Sequence, residues 1–272
     1  MADYQDHLLI RDDLGRQLSL PRPPQRIVSL VPSLTEYLFF LGAGEHVVGV
    51  TDYCTAPAAG VAAKPKVRGT KNPDVPAIVA LQPDLVLLNK EENRQRDVLA
   101  LEAAGVPAYV TDIETVAAAR ASLARLAELI GCPAAAAPLL AGIDAELAVC
   151  AESSAPPHLV AAAIWRDPWM LVGAGTYAHD LLRVCGGLNV AAALPGRYPR
   201  VSLDELAALG ADLLLLPDEP YRFGPADLPD VAGLAGRAVL CDGALLTWYG
   251  PRLPQALRHW RELLRGTEPC YT

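Results

Sequence analysis

A helix-to-strand unit occurs twice in this chain at a fixed spacing, and that repetition constrains the fold more than any single motif. Pro76–Leu88 reads PAIVALQPDLVLL and Asp204–Leu216 reads DELAALGADLLLL, an offset of 128 residues. AGVPAYVTD from Ala104 and AGRAVLCDG from Ala235 match again at an offset of 131. Two matches at nearly one offset point to two lobes of like topology, and the period is far too long for a solenoid. Between the copies lies Pro133–Ser153, PAAAAPLLAGIDAELAVCAES. Gly131 and Pro133 mark a helix stop followed by a first-turn proline, and Ala and Leu then dominate, so one helix about 30 Å long is expected there. Pro138 would also suit a later start, and Gly142 weakens the helix by about 1 kcal/mol relative to Ala.

On either side short apolar runs alternate with helical patterns, which implies parallel sheets covered on both faces. In the first half the expected strands are Arg26–Leu30, Val47–Thr51, Asp84–Leu88 and Pro107–Thr111. The helices begin at Ser33, Pro76, Glu91 and Glu114. Ser33-Leu-Thr-Glu36 and Ser202-Leu-Asp-Glu205 both read as capping boxes. In the second half Leu159–Trp165, Asp212–Leu216 and Ala238–Cys241 read as strands, and Tyr177–Val184, Ser202–Leu209 and Leu253–Leu264 as helices. The fold expected is α/β: two lobes with mainly parallel sheets flanked by helices, bridged by one long α-helix. Its divisions are an N-terminal arm (1–25) carrying a small hairpin that turns at Asp12–Gly15, a first lobe (26–132), the bridging helix (133–153) and a second lobe (154–272). Asp52–Pro76, rich in Pro, Gly and Lys, is a long loop of the kind that carries function or is disordered.

With 272 residues and 52% hydrophobic composition, the chain can bury one large or two moderate cores. A net charge of −8 and the lack of any long Lys/Arg run argue against a nucleic-acid or anionic-membrane surface, and favour a small-molecule or protein partner. Six widely spaced cysteines form no CxxC and no zinc pattern, so reduced, buried thiols are expected. The N-terminus shows no signal-peptide run and no later stretch reads as spanning a bilayer, so the sequence as it stands suits the cytoplasm. Removal of a signal before maturation would place the protein in the periplasm or on the cell surface instead.

In parallel α/β sheets ligands bind beyond the carboxyl ends of strands. Three of the four tryptophans, Trp165, Trp169 and Trp248, fall at or just after such ends, with Tyr53, Tyr198 and Tyr249, whereas Trp260 lies in the last helix and reads as core. These aromatics are candidate ligand contacts. Gly173-Ala-Gly175-Thr-Tyr-Ala178 fits GxGxxA, but no Asp or Glu follows between Leu181 and Leu203 to hold a ribose, so a structural turn is the reading. The five histidines form no HExxH or HxH pattern, and neither a GxSxG elbow nor a P-loop occurs. No catalytic residue, cofactor or resident metal is assigned.

Taken together, Pro24-x-Arg26-Ile27-Val28-Ser29-Leu30, Pro32-Ser33-x-Thr35-Glu36, Val48-Gly49-Val50, Leu81-x-Pro83-Asp84-Leu85-Val86, Cys185-Gly186-Gly187-x-Asn189-Val190 and Trp248-Tyr249-Gly250-Pro251-Arg252 form an ordered set over residues 24–265. This set resembles the helical-backbone substrate-binding proteins of ABC importers, and within them the cobalamin-binding branch. The resemblance implies two lobes joined by one rigid helix, little hinge closure, and a corrinoid, ferric siderophore or haem held in a cleft. By the same resemblance Tyr53 is a cleft aromatic, Trp169 and Tyr198 oppose it, and Trp248 flanks it, beside Trp165 and Tyr249. Asn72, with Arg68 and Lys71, occupies the long loop where a further cleft tryptophan would be expected, and Arg252 would meet an anionic chelate. Family members that feed a transporter present an acidic residue on each lobe. Here Asp204 takes that place in the second lobe, and Asp74 stands in for Pro76 in the first. The partners implied are a small-molecule metal chelate and an ABC permease, with the protein a monomer. An intracellular corrinoid binder uncoupled from import, an enzyme acting on a corrinoid or metal chelate, and a metal-ion carrier are the alternatives.

Overall fold

The computed structural model describes residues 7–21, 23–152 and 156–265. Contacts divide the chain into two compact units. Unit one runs through Ile113 and takes in Ala117–Leu140 and Tyr249–Pro251; unit two holds Glu114–Val116, Ala141–Trp248 and Arg252 onward.

Unit one opens on an antiparallel hairpin, β1 (His7–Arg11) and β2 (Gln17–Pro21), joined by the Asp12–Gly15 turn. The hairpin is part of the unit and not a free arm. Buried Asp12 accepts from Leu14 N, Arg16 N and Val110 N, while Asp13 Oδ2 accepts from Asp112 N and from Ser122 Oγ at 2.7 Å. There follow β3 (Ile27–Ser29), α1 (Pro32–Phe40), β4 (Val47–Val50), α2 (Ala58–Ala62), β5 (Arg68–Gly69), β6 (Asn72–Pro73), α3 (Val75–Ala80), β7 (Leu85–Asn89), α4 (Gln95–Ala103), β8 (Ala108–Thr111) and α5 (Val116–Ile130). The four parallel strands lie in the order β4-β3-β7-β8. Val28, Leu30, Val86, Leu88, Ala108 and Val110 point alternately into a core closed by Ile78 and Leu101, as period-2 side chains from helix-covered strands must.

Two local expectations differ. Ser33 is not an N-cap: α1 starts one residue earlier, at Pro32, with Val31 as its uncapped N-cap. A proline supplies the helical φ and has no N–H to satisfy, so it sets the start. Asp52–Pro76 is not structureless, since it contains α2 and the short β5–β6 ladder.

α6 (Pro133–Ala151) is the long helix, with its first residues in unit one and those from Ala141 in unit two. Ser153 lies outside the described residues. Pro138 sits inside the helix on its exposed side, where the carbonyl that loses its partner faces water. Ala136, Leu139, Ile143 and Cys150 form its buried seam. Contrary to expectation, α6 is long and apolar enough by length and composition to cross a membrane. Within unit two the helix is tied by charge, because Glu146 accepts from Arg258 at 2.7 Å and from Arg261 at 2.6 Å.

Unit two comprises β9 (His158–Trp165), β10 (Trp169–Leu171), α7 (Tyr177–Val184), β11 (Gly187–Asn189), β12 (Arg200–Val201), α8 (Leu203–Ala208), β13 (Leu213–Pro217), β14 (Arg237–Cys241), α9 (Gly243–Thr247) and α10 (Leu253–Leu264). β9, β13 and β14 run parallel, and β11 joins β9 in parallel. β10 and β12 extend the sheet in antiparallel sense, an extension the sequence did not announce. Leu214, Leu216, Ala161, Ala163 and Leu171 build the core with Phe223 and Trp169. The second capping box is present, since Ser202 and Glu205 bond each other's backbone N–H groups. Trp260 is fully buried, with its indole N–H on Leu245 O at 2.8 Å.

Candidate functional site: the strand ends of each unit

In unit one every parallel strand ends in a buried polar residue: Thr51 just after β4, Ser29 on β3, Asn89 on β7 and Thr111 on β8. Such groups must be hydrogen-bonded, and here their partners are the loops above the strands. Cys54 Sγ lies 3.1 Å from Thr51 Oγ1 and 3.0 Å from Thr35 Oγ1, and Lys66 Nζ reaches the carbonyls of Thr51 and Cys54. Asn89 Nδ2 donates to Thr111 Oγ1, Asn89 N donates to Asn93 Oδ1, and Asn93 Nδ2 donates to Thr70 O at 2.9 Å. The loops at residues 52–54, 70 and 89–93 are thereby fixed to the sheet.

Tyr53 stands on this rim and is 63% exposed. Its ring and the Asn72 amide close over Gly69. A Cβ on that glycine would fall 2.6 Å from Asn72 Oδ1 and 3.1 Å from Tyr53 Cε2. Of the neighbouring cations, Arg68 turns to Asp74 at 3.3 Å and Lys71 Nζ donates to Glu91 O. Asp74 is half-buried and caps α3 by accepting from Ala77 N at 3.1 Å. Burial pushes the Glu92 carboxyl up, with Lys71 opposing. Tyr249 is buried, with its hydroxyl against Ser33 and Thr111, and burial raises its pKa well above the phenol value. The residue is packing of the strand ends and shows no open ring face.

In unit two Trp165 ends β9 and is 43% exposed. It begins a row of rings. Trp165 meets Tyr221 edge-on at 5.6 Å, Tyr221 meets Phe223 at 4.6 Å, and Phe223 stacks on Trp169 at 5.6 Å. Trp169 is therefore a buried core ring, 7% exposed, with the Arg166 guanidinium 5.7 Å away. Arg166 is held by Asp227 and, at 2.7 Å, by Asp230. Tyr221 and Phe223 escaped the sequence reading; they lie four and six residues beyond the end of β13, so a wider window past each strand would have caught them. Trp248 is buried as well, with the Arg252 guanidinium 5.0 Å from its ring centre. Tyr198 is half-buried, and Asp204 is exposed on the first turn of α8.

Gly173-Ala-Gly175 is a packing turn. A Cβ at Gly173 would fall 2.6 Å from Gly196 O, and Thr176 both bonds Gly173 O and caps α7. A cavity of about 270 Å³ is lined by Leu194, Pro199, Arg200 and Val201 of β12, and Glu205 of α8. Among the described residues no three His, Cys, Asp or Glu side chains converge as a metal site.

Comparison with known proteins agrees with this architecture. The chain is 23% identical over 250 residues to the vitamin B12-binding protein of Pectobacterium carotovorum, covering 90% of each. It is 27% identical over 268 residues to an uncharacterized ABC transporter substrate-binding lipoprotein of Bacillus subtilis, covering 93% of this chain and 84% of that one. Among solved structures, the periplasmic heme-binding protein RhuT of Roseiflexus sp. RS-1, in apo form, superposes with a TM-score of 0.75 at 29% identity, covering 89% of this chain and 97% of that one. With residues 27–226 matching the pattern described as periplasmic binding protein, the chain belongs to that family.

Proposed function

We propose that this protein is a non-enzymatic substrate-binding protein that captures cobalamin or another corrinoid and delivers it to an ABC permease. The observation that carries the reading is the exposed aromatic on a braced strand end in each unit, Tyr53 in one and Trp165 in the other. Flat rings of few rotamers suit a large, flat, partly apolar ligand, because stacking adds to area burial at small entropic cost. Asn72 beside Tyr53, Arg252 over Trp248, and half-buried Tyr198 supply the polar contacts, while Trp169 and Tyr249 hold the supporting core. The names of the curated relatives support the corrinoid, the permease and a location outside the cytoplasmic membrane. Asp204 is the acidic docking residue of unit two; in unit one Asp74, whose Oδ1 accepts from Ala77 N and whose Oδ2 pairs with Arg68, serves only where a permease cation displaces Arg68.

The second reading is haem, supported by the solved heme-binding relative and by Arg68 and Lys71, whose charge suits the propionates. Calorimetric titration with cyanocobalamin, and a hemin titration followed by absorbance, separate the two. Saturable heat with cyanocobalamin at micromolar concentrations is expected. Binding of hemin alone would replace corrinoid by haem, and no binding of either at hundreds of micromolar would overturn both.

A further inference from the structure

Two separate segments supply the outer ring pair of unit two, and one carboxylate holds both. Trp165 is the last residue of β9, at the turn into β10 where Asp167 takes a positive φ of +61°. A non-glycine residue keeps such a backbone only where its surroundings fix it. Tyr221, which meets Trp165 edge-on at 5.6 Å, stands on the loop beyond β13. Buried Asp227, in the short 3₁₀ helix Pro225–Val231, reaches each segment with a different oxygen. Its Oδ1 accepts from Arg166 Nη1, next to Trp165, and its Oδ2 accepts from Gly224 N at 2.8 Å, three residues beyond Tyr221. Asp230 adds a second carboxylate to Arg166 at 2.7 Å, and the same guanidinium lies 5.7 Å from the Trp169 ring centre. Phe223 N, on Pro217 O at 3.3 Å, returns the loop to the end of β13. The Gly224 N–H first, then Arg166, hold the Asp227 carboxyl below its usual range, so the acceptor is charged at neutral pH. Arg166 thus faces two carboxylates of the protein, and its charge is matched before any ligand arrives.

We propose that Asp227 is a positioning residue for ligand capture: through Arg166 and Gly224 it sets Trp165 against Tyr221 and holds the exposed indole for a flat ligand. This role rests on the reading of Trp165 as a ligand contact. Asp227 is itself buried, so it acts through the two segments that it joins. A ring already held in place costs less to order when the ligand binds, and the affinity keeps that difference.

The test uses the full chain with Asp227→Ala, Asp227→Asn and Trp165→Ala. Acrylamide quenching of tryptophan fluorescence reads Trp165 without any ligand, since Trp169, Trp248 and Trp260 are at most 9% exposed. Released from its brace, Trp165 should quench more steeply in Asp227→Ala than in the parent, and the increment should vanish in the Trp165→Ala background. Titration with cyanocobalamin should show binding about fivefold weaker in Asp227→Ala, the size expected from one more side chain left to be ordered. That loss should not add to the loss in Trp165→Ala. Asp227→Asn keeps one acceptor oxygen of the two, should lie between Asp227→Ala and the parent in both readings, and serves if the alanine variant does not fold. Unchanged quenching would overturn the brace whatever the affinity. Steeper quenching at parental affinity, or a loss fully additive with Trp165→Ala, would overturn its role in capture. A parent chain that binds no cyanocobalamin fails the corrinoid reading alone, and the quenching difference then still supports or overturns the brace.

Discussion

Asp84 and Asp212, 128 residues apart, clasp the neighbouring strand in the same way. Asp84 N donates to Arg26 O at 2.9 Å and its Oδ1 accepts from Arg26 N at 3.0 Å; Asp212 N donates to Leu159 O at 2.8 Å and its Oδ2 accepts from Leu159 N at 3.0 Å. Each thereby ties the start of the repeated strand, β7 or β13, to the start of its parallel neighbour, β3 or β9. The helices α3 and α8 and the strands themselves keep the same offset. The sequence repeat is thus a repeat of hydrogen bonds.

Removing the clasp leaves Leu159 N short of its acceptor in unit two, and Arg26 N and Gln25 N short of theirs in unit one. Asp84→Ala and Asp212→Ala should each lower unfolding stability by roughly 1–3 kcal/mol. Urea unfolding checks this; a loss in one unit but not the other would show that the clasps are not equivalent.

Two residues before each clasp the chain takes positive φ, at +49° for Gln82 and +64° for Gly210. Glycine relieves that position and glutamine strains it. Gln82→Gly should therefore stabilise by roughly 0.5–1 kcal/mol, and Gly210→Gln should destabilise by at least about 1 kcal/mol. Gly142 differs: a Cβ there would meet Pro254 Cγ at an ordinary 3.6 Å, so Gly142→Ala should strengthen α6 by roughly 0.5–1 kcal/mol. Chemical denaturation of the three variants checks the signs.

The exposed and buried aromatics should separate cleanly. Tyr53→Ala and Trp165→Ala should leave the melting temperature nearly unchanged while weakening cyanocobalamin binding about tenfold, near 1.4 kcal/mol each. Trp169→Ala empties a core site and should cost about 3–5 kcal/mol of stability. Calorimetry of binding and of unfolding reads the two effects independently.

Gly69 is expected to position the rim of unit one. Its substitution by Ala meets only the movable ends of Asn72 and Tyr53, so the fold should survive. Affinity should drop about as much as in Tyr53→Ala, and the two changes should be non-additive. Full additivity in a double-mutant cycle would show that Gly69 does not act through Tyr53.

His179 sets a pH dependence. Burial of its ring, against a smaller opposing effect of Asp180 and with the help of Arg183, lowers its pKa in the folded state. The unfolded chain binds a proton as pH falls through about 6.5, while the folded chain does not until lower pH, so stability is lost as pH falls below that point. His179→Gln should unfold with a smaller loss between pH 7.5 and 5.5 than the parent chain. Parallel losses would assign the pH dependence elsewhere.

What the sequence determined by itself is the local and periodic part. The 128-residue repeat, the strand-helix alternation, the hairpin turn at Asp12–Gly15 and the bounds of Tyr177–Val184 and Leu253–Leu264 follow from side-chain period and turn chemistry, which act between near neighbours. Tertiary structure decided the rest. Ser33 and Ser202 carry the same S-x-x-E pattern, yet Ser202 caps a helix at the surface while Ser33 is buried inside one, with Gly250 packed against its carbonyl. Trp165 and Trp169 are four residues apart at one strand end, yet Tyr221 and Phe223, brought from beyond β13, leave the first open and cover the second. Whether a side chain is covered depends on which distant segment lands on it, and no local period encodes that.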